Sequence, residues 1–194
     1  MLTLLIASSF EAQLFIKGLN KISDTVYEGD YRVVISGTGL VNMAMATTEA
    51  INNYNPAKII NLGISGAVRG TLKVGSIVKA EKFNVFSSTP IPGTSQNIWQ
   101  QSYPIIDQGN GAMLFSSLHP VWNDEDKLKL LTFNADLLDM EGYSFARVCQ
   151  SKGINIEVYK VVSDFLHKKS QNDFLKNAQL GLEKLQDFFV EKYL

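Results

Sequence analysis

Apolar runs of strand length alternate along the chain with segments whose apolar residues recur at helical spacing. The runs typical of strands are residues 2–7, 26–27, 31–35, 58–62, 77–86, 112–115, 135–140 and 156–162. Helices are predicted from residue 8 to about residue 19, over 40–53, from 123, after the run at 135–140, and at the C-terminus behind a Ser170 cap. Strands that alternate with helices predict a three-layer α/β fold, with helices on both faces of a central sheet.

This pattern stops between residues 87 and 111, where three of the five prolines fall among glycine, serine and asparagine. Irregular segments of this length inside a compact domain are uncommon, and they usually form lids or binding loops or are disordered. We therefore expect a loop of one of these kinds here.

Composition narrows the class of protein. The 194 residues, 45% hydrophobic and 19% charged with a net charge of -1, are typical of one globular domain spanning 1–194. This charge predicts neither a nucleic-acid partner nor an anionic membrane partner. Only Cys149 is a cysteine, and there are two histidines, so neither an intrachain disulfide nor a Cys/His zinc site is expected. The single cysteine fits a reducing cytoplasm, which is the expected location. The first apolar run lacks basic residues and meets Glu11 at once, which favours a buried strand over a signal peptide.

Two acidic residues follow apolar runs near the end of the chain, Glu141 after residues 135–140 and Asp164 after 156–162. Ligands of open α/β sheets bind at the carboxyl ends of strands, so both carboxylates are candidates for a site. Glu11 has capping-box spacing from Ser8. Glycine-rich stretches at 36–39 and 63–68 are predicted turns whose backbone amides approach a ligand.

Four segments, in this order, resemble the purine nucleoside phosphorylase and nucleosidase superfamily, especially the methylthioadenosine/adenosylhomocysteine nucleosidases and futalosine hydrolases of its hydrolytic branch. The segments are LLIASSFEAQLF, SGTGLVNMAMATT, INLGISGAVRGTLKVGSIV, and DMEGYSFARVCQSKGI leading to VVSDF. The Asp-Met-Glu-Gly element with the later Ser-Asp is the most specific of them. The resemblance implies a twisted mixed sheet flanked by helices, no metal or organic cofactor, and a homodimer.

The resemblance also implies roles for particular residues. Glu141 would accept hydrogen bonds from the ribose 2′ and 3′ hydroxyls, with Met140 lying against the sugar and base. Asp164 would pass a proton to purine N7, and Glu11 would orient and deprotonate the attacking water. The remaining expected substrate contacts are Ile64, Ser65 and Ser163.

The same comparison favours water over phosphate as the nucleophile. Phosphorylases bind the phosphate dianion with arginines and a serine in their glycine-rich turns. This chain has Asn61 and Ile64 at the matching turn, and its first loop, residues 7–10, contains no arginine. Hydrolysis of a purine nucleoside is therefore the leading hypothesis. A phosphorylase with an unusual phosphate site and a catalytically degenerate nucleoside-binding protein are the alternatives.

The chain departs from the family around the predicted base. The connection between residues 86 and 112 is shorter than usual, which leaves the 5′ substituent of the substrate undetermined. Phe165, Leu166 and His167 stand where small residues are more usual, so a narrower or differently shaped base pocket is expected. The family's base-contacting loop should lie near residues 116–119, where the match is poor.

Structural explanations compete with the catalytic ones. Taken alone, Glu11 is explained by helix capping, Glu141 by the helix dipole and Asp164 by capping of the following segment. Cys149 falls on an apolar helix face and is predicted to be core. His119 and His167 lack partners at ligand spacing in the sequence and are predicted to be ordinary surface or loop residues.

Overall fold

The computed structural model describes residues 1–87, 103–167 and 173–194. Ten strands in these residues form one sheet. They are β1 (Leu2–Ile6), β2 (Asn20–Lys21), β3 (Val26–Glu28), β4 (Arg32–Ile35), β5 (Lys58–Ala67), β6 (Ile77–Phe86), β7 (Ile106–Asp107), β8 (Ala112–Ser117), β9 (Leu137–Asp139) and β10 (Ile156–Asp164). The helices are α1 (Ser9–Ala12), α2 (Leu40–Tyr54), α3 (Asp124–Thr132), α4 (Gly142–Ser151) and α5 (Phe174–Tyr193).

The sheet closes on itself around β5. One edge of β5 pairs in parallel with β10. Its other edge is shared, because β1 pairs in parallel with residues 58–61 and β9 pairs antiparallel with residues 66 and 67. From β10 the pairing runs through β6, β8 and β9 and returns to β5, while β4, β3 and β2 extend the sheet beyond β1. Neither β1 nor β9 is paired with β5 between residues 61 and 66, and this interval is called the β5 gap below.

Alternate residues of β5 face two different cores, as strand geometry requires. Ile59 and Ala67 belong to one core, and Ile60 and Leu62 belong to the other. The first core includes Met43 and Ala50 of α2 and Phe145, Ala146 and Cys149 of α4, and the second includes Leu182, Leu185 and Phe189 of α5. Helices therefore cover both faces, and the predicted three-layer α/β fold with a mixed sheet is confirmed.

The predicted turn at residues 63–68 is wrong, because β5 continues as a regular strand to Ala67. Its glycines serve close packing instead. A Cβ atom on Gly63 would lie 2.7 Å from Glu11 Oε1, and one on Gly66 would lie 2.1 Å from Leu166 Cδ2. Both distances are far too short for real contacts, so the two glycines leave room for these side chains beside the strand. Small residues in a turn and small residues beside a strand look the same in the sequence, which explains the wrong prediction.

The first helix is much shorter than predicted. Ser8 caps α1 as expected, but regular helix ends at Ala12 and residues 13–18 form turns. Tertiary contacts hold Phe15 in place, since its ring packs edge-on against Phe189 at 5.8 Å and its carbonyl oxygen accepts a hydrogen bond from Tyr31 Oη at 2.6 Å. These contacts outweigh the helical spacing of the apolar residues in the sequence.

Most other local predictions are confirmed. Strands β3 and β4 form the expected hairpin, and Gly153 adopts a positive φ of 65° just after α4. Cys149 is buried in the core. The predicted Ser170 cap lies outside the described residues, as does most of the predicted loop at 87–111. None of the helices in the described parts combines the length and the apolar character that crossing a membrane requires.

Candidate active site

A cavity of about 320 Å³ lies at the β5 gap, beside the carboxyl ends of β1 and β10. Its lining includes all the residues assigned to the site from the sequence, which are Glu11, Ile64, Ser65, Met140, Glu141, Ser163 and Asp164. Other lining residues are mostly small or apolar, among them Phe10, Val121, Trp122, Leu138, Leu166 and Phe174. Glu11, Glu141 and Asp164, which lie in three separate parts of the chain, thus share one cavity, and Asp139 also lines it.

Glu11 occupies the β5 gap. Its Oε1 accepts a hydrogen bond from the backbone amide of Ile64 at 3.0 Å, and its Oε2 accepts one from the Ser8 hydroxyl at 2.8 Å. The amide of Ile64 is available because β1 stops pairing with β5 at Asn61. In the predicted capping box the glutamate reaches back to the backbone of its own helix. Here Glu11 reaches across to β5, and this contact fixes the carboxylate in the cavity wall.

Glu141 sits at the N-cap of α4, two residues beyond β9. Its Oε1 accepts a hydrogen bond from the Gly39 amide, at the start of α2, at 2.7 Å. The pKa of Glu141 is raised to about 7, chiefly by burial and then by the charge of Asp139, against the opposing effects of Lys160 and the Gly39 amide. The carboxyl group can therefore change its protonation state near neutral pH.

Asp164 ends β10, where a bulge between Val162 and Asp164 interrupts the pairing with β5. Its Oδ2 accepts a hydrogen bond from the Ser163 hydroxyl at 2.7 Å, and its Oδ1 accepts one from the Leu166 amide at 2.8 Å. Leu166 has a φ of 61°, in the left-handed region that leucine rarely adopts. Its strained backbone places its amide on Asp164 and its side chain against Gly66.

A buried ion pair lies behind the carboxylates. Lys160 of β10 is 1% exposed, and its Nζ lies 2.9 Å from Asp139 Oδ2. Burial opposes the charge of Lys160, but the negative charges of Asp139, Glu141 and Glu11 raise its pKa above the ordinary value. Asp139 also accepts hydrogen bonds from the Gly142 amide at 2.9 Å and the Ser116 hydroxyl at 2.5 Å. The pair therefore joins β10, β9 and the first turn of α4 at the wall of the cavity, which Asp139 lines.

The sequence of this chain matches a known protein family along nearly its whole length. A family model described as "Phosphorylase superfamily" matches residues 4–113 and 111–194. This chain belongs to the phosphorylase superfamily.

Its relatives within the superfamily include nucleosidases. The 5′-methylthioadenosine/S-adenosylhomocysteine nucleosidase of Buchnera aphidicola subsp. Schizaphis graminum (strain Sg) is 27% identical, over 86% of this chain and 83% of that protein. The protein of the same name from Staphylococcus aureus (strain JH9) is 28% identical, over 75% and 74%.

Solved structures share the superfamily fold over almost the whole chain. The futalosine hydrolase of Helicobacter pylori strain 26695 superposes with a TM-score of 0.80 at 21% identity, covering 98% of this chain and 97% of that one. A 5′-methylthioadenosine/S-adenosylhomocysteine nucleosidase from Helicobacter pylori, with butyl-thio-DADMe-Immucillin-A, gives 0.79 at 20% identity with the same coverages. At these identities the likeness concerns the fold.

The described lining contains no arginine, lysine or histidine, so it offers none of the cationic side chains expected of a phosphate site. Asn61 does not take their place. It is fully buried, and its Nδ2 donates to the Leu5 carbonyl oxygen at 2.9 Å, so it joins β5 to β1. A metal site is not found either: within the part of the chain that the structure describes, no group of three or more His, Cys, Asp or Glu side chains is suited to a metal ion.

Sequence reasoning missed Lys160 and Asp139. A signal was present, because Lys160 lies between Val158 and Val162 at the period of two that marks one face of a strand. A lysine on a face that is otherwise apolar predicts a buried ion pair. Near residues 116–119, Ser117 lines the cavity, whereas Leu118 and His119 are exposed.

Proposed function

We propose that this chain is a purine-nucleoside N-glycosidase that uses water to hydrolyse the N-glycosidic bond of a 5′-modified adenosine or a related nucleoside. The observation that carries the proposal is the shared cavity of Glu11, Glu141 and Asp164, whose described lining has no cationic side chain. The nucleosidase names of the relatives agree with it. The activity requires no cofactor, and we propose that residues 1–194 act as one domain.

Glu11 is the proposed general base. Hydrogen bonds from Ser8 and the Ile64 amide hold both of its oxygens, so the carboxylate keeps one orientation at the edge of the cavity. It takes a proton from water as the water oxygen forms its bond to C1′ of the ribose. The buried hydroxyl of Ser65, which has no hydrogen-bond partner within the described parts of the chain, is available to a polar group of the ligand.

Glu141 is the proposed ribose ligand. One of its oxygens is engaged by the Gly39 amide, and the other remains for the 2′ and 3′ hydroxyls. Only the ionised carboxylate can accept from both hydroxyls, so the pKa of about 7 makes sugar binding depend on pH. Met140, which also lines the cavity, supplies an apolar surface for the sugar and base.

Asp164 is the proposed general acid. As the bond between C1′ and N9 breaks, its electron pair passes to the purine, and Asp164 delivers a proton to N7 so that the base leaves neutral. Ser163 and the Leu166 amide hold the carboxyl group at the end of β10. Two of the carboxylates thus divide the proton transfers, which is the general arrangement of glycoside hydrolysis.

A nucleoside phosphorylase is the alternative that the superfamily offers, and the described lining does not favour it. The deciding experiment incubates the protein with a panel of purine nucleosides, with and without inorganic phosphate, and measures the free base. We expect release of the base at the same rate in both conditions. Release that requires phosphate would favour the phosphorylase, and no release from any nucleoside would favour a degenerate binding protein.

The variant Asp164→Asn separates an enzyme from a binding protein. The amide keeps the size of the side chain but cannot supply the proton, so cleavage should be lost while nucleoside binding is retained. Isothermal titration measures the binding. Wild-type protein that binds nucleosides without cleaving any of them would contradict the enzymatic proposal.

We also propose that the protein is a cytoplasmic homodimer. Val41 and Met45 of α2 are 69% and 58% exposed, one helical turn apart, which supports an apolar contact surface on this helix. Analytical ultracentrifugation should give a mass of twice 21.5 kDa. A species of 21.5 kDa at all concentrations would contradict the dimer.

A further inference from the structure

We propose that Leu166 is a positioning residue for Asp164, a role that rests on the proposed function. Its side chain locks a strained turn, and the turn holds the carboxyl group of the general acid in one orientation. Leu166 follows β10 by two residues, lines the cavity and has a φ of 61°. Within the described residues the other positive φ values outside glycine belong to Asn55 and Asn134, and asparagine adopts this conformation more readily. A leucine keeps it only where the surrounding structure enforces it, and such residues cluster at active sites.

A notch in β5 holds the side chain of Leu166. A Cβ atom on Gly66 would lie 2.1 Å from Leu166 Cδ2 and 3.0 Å from its Cγ, so the leucine occupies the space that the glycine leaves open. This space is called the Gly66 notch below. Leu166 is buried in a core cluster with Val68, Phe115 and Leu138. The side chain therefore leaves the notch only by opening a cavity in this core.

The peptide group between Phe165 and Leu166 is held at both of its polar ends. Its carbonyl oxygen accepts a hydrogen bond from Lys127 Nζ of α3 at 2.7 Å, and its N–H donates to Asp164 Oδ1 at 2.8 Å. The side chain that follows this peptide group is the one in the Gly66 notch. Rotation of the peptide group would break both hydrogen bonds, so the amide stays directed at Asp164.

The Leu166 amide also distinguishes the two oxygens of Asp164. Oδ1 accepts from this amide, whereas Oδ2 lies 2.7 Å from the Ser163 hydroxyl. A protonated carboxyl group has one O–H donor, and its other oxygen remains an acceptor, so the amide favours the proton on Oδ2. The Ser163 hydroxyl then accepts from Oδ2 and donates to the Ser65 carbonyl oxygen, 3.2 Å away. If the turn relaxed, the carboxyl group would lose this fixed arrangement.

The Gly66 notch couples the leucine directly to the carboxyl group. Asp164 Oδ1 would lie 3.1 Å from the same Cβ atom on Gly66, so this oxygen and the Leu166 side chain border one space. Both the backbone amide and the packing of Leu166 thus act on Oδ1. A displacement of about 1 Å is enough to misplace a reacting group, and an error of this size can cost about 100-fold in kcat.

The alternative is that Leu166 only fills the core. Leu166→Ala and Leu130→Ala remove the same atoms from one core cluster, but Leu130 lies on α3 and is absent from the described lining of the cavity. A purely structural role predicts lower stability and an unchanged kcat for both variants. We expect kcat to fall about 10-fold to 100-fold in Leu166→Ala alone, with KM nearly unchanged, as for an interaction made in the transition state. An unchanged kcat in Leu166→Ala would overturn the proposal.

Two further substitutions at this position separate the side chain from the strained backbone. Leu166→Gly removes the strain, because glycine adopts a positive φ freely, and it leaves the Gly66 notch empty. This variant should lose kcat as Leu166→Ala does, and it decides the question if Leu166→Ala does not fold. Leu166→Met refills the notch with a side chain of similar volume and should recover most of kcat. Full activity of Leu166→Gly would show that the leucine side chain does not position Asp164.

Gly66→Ala perturbs the same contact from β5. In the wild-type background the added methyl group displaces the leucine and should lower kcat about 10-fold to 100-fold. In the Leu166→Ala background the notch is empty, so the same substitution should change kcat less than about 3-fold. Equal losses in the two backgrounds would contradict the coupling between the notch and the leucine.

Hydrogen exchange of the amide at position 166, measured by NMR and corrected for intrinsic rates, tests the turn without turnover. This amide should exchange about 10-fold faster in Leu166→Ala than in the wild type, and at the wild-type rate in Leu130→Ala. Equal exchange in the wild type and Leu166→Ala would overturn the proposal. Faster exchange in a protein that cleaves no nucleoside would support the held turn and contradict the nucleosidase. Cleavage with an unchanged kcat in Leu166→Ala would support the nucleosidase and contradict the positioning role.

Discussion

The variant Glu141→Gln should make stability less dependent on pH. In the folded protein the pKa of Glu141 is raised from 4.5 to about 7, chiefly by burial and then by Asp139. Between these pH values the folded state holds a proton that the unfolded chain has lost. The stabilisation from this group is therefore complete below pH 4.5 and is lost as the pH rises through 7. One pKa unit corresponds to about 1.4 kcal/mol, so the loss amounts to about 3 kcal/mol.

Glutamine has the same shape but no titration, so the variant should not lose this stability. The difference in free energy of unfolding, variant minus wild type, should increase by about 3 kcal/mol between pH 4.5 and about pH 8. Urea unfolding of both proteins at each pH measures it. A difference that stays constant over this range would refute the assignment of a buried, protonatable Glu141.

The same substitution tests the sugar contact. The wild-type kcat/KM should rise as the pH passes about 7, because the ionised carboxylate accepts from both ribose hydroxyls. Glu141→Gln replaces hydrogen bonds to a charged acceptor by hydrogen bonds to a neutral one. A hydrogen bond to a charged group contributes about 1.5–3 kcal/mol, so kcat/KM should fall about 10-fold to 150-fold. The variant should also lose the rise at this pH. A variant that keeps the wild-type pH profile would contradict the proposed role.

Two further substitutions probe the support behind the carboxylates. Lys160→Met leaves a buried carboxylate without its cation and should lower the free energy of unfolding by about 3–5 kcal/mol, whereas Lys82→Met, in an exposed pair, should cost under about 1 kcal/mol. Equal urea midpoints for the two variants would contradict this. Gly63→Ala puts a Cβ atom 2.7 Å from Glu11 Oε1. Displacement of a reacting group by about 1 Å can cost about 100-fold in kcat, and Gly70→Ala, in open space, should retain activity. Full activity of Gly63→Ala would show that Glu11 is not held in this way.

The sequence predicted the strands and most helices because their apolar periods survive in the folded chain. The run at residues 156–162 alternates between two cores, and the stripe through Leu182 and Phe189 faces one side of α5. The prediction from the sequence failed at residues 63–68, because small residues beside a strand look the same as small residues in a turn. The purpose of Gly63 and Gly66 depends on Glu11 and Leu166, which approach from distant parts of the chain.

The site could be predicted in part for a similar reason. Glu141 and Asp164 each follow a strand, a local pattern, and Glu11 was identified through the resemblance together with its spacing from Ser8. The pairing of Lys160 with Asp139 requires β10 and β9 to come together, which no local pattern encodes. The same applies to Trp122 and Phe174, since their contact joins the start of α3 to the start of α5.

The central claim is that water attacks C1′ in a cavity whose described lining has no cation to bind phosphate. The most direct measurement is mass spectrometry of the sugar formed from 5′-methylthioadenosine in oxygen-18 water, with inorganic phosphate present. We expect free 5-methylthioribose that carries one labelled oxygen at C1, and adenine as the other product. An unlabelled sugar 1-phosphate would contradict the account.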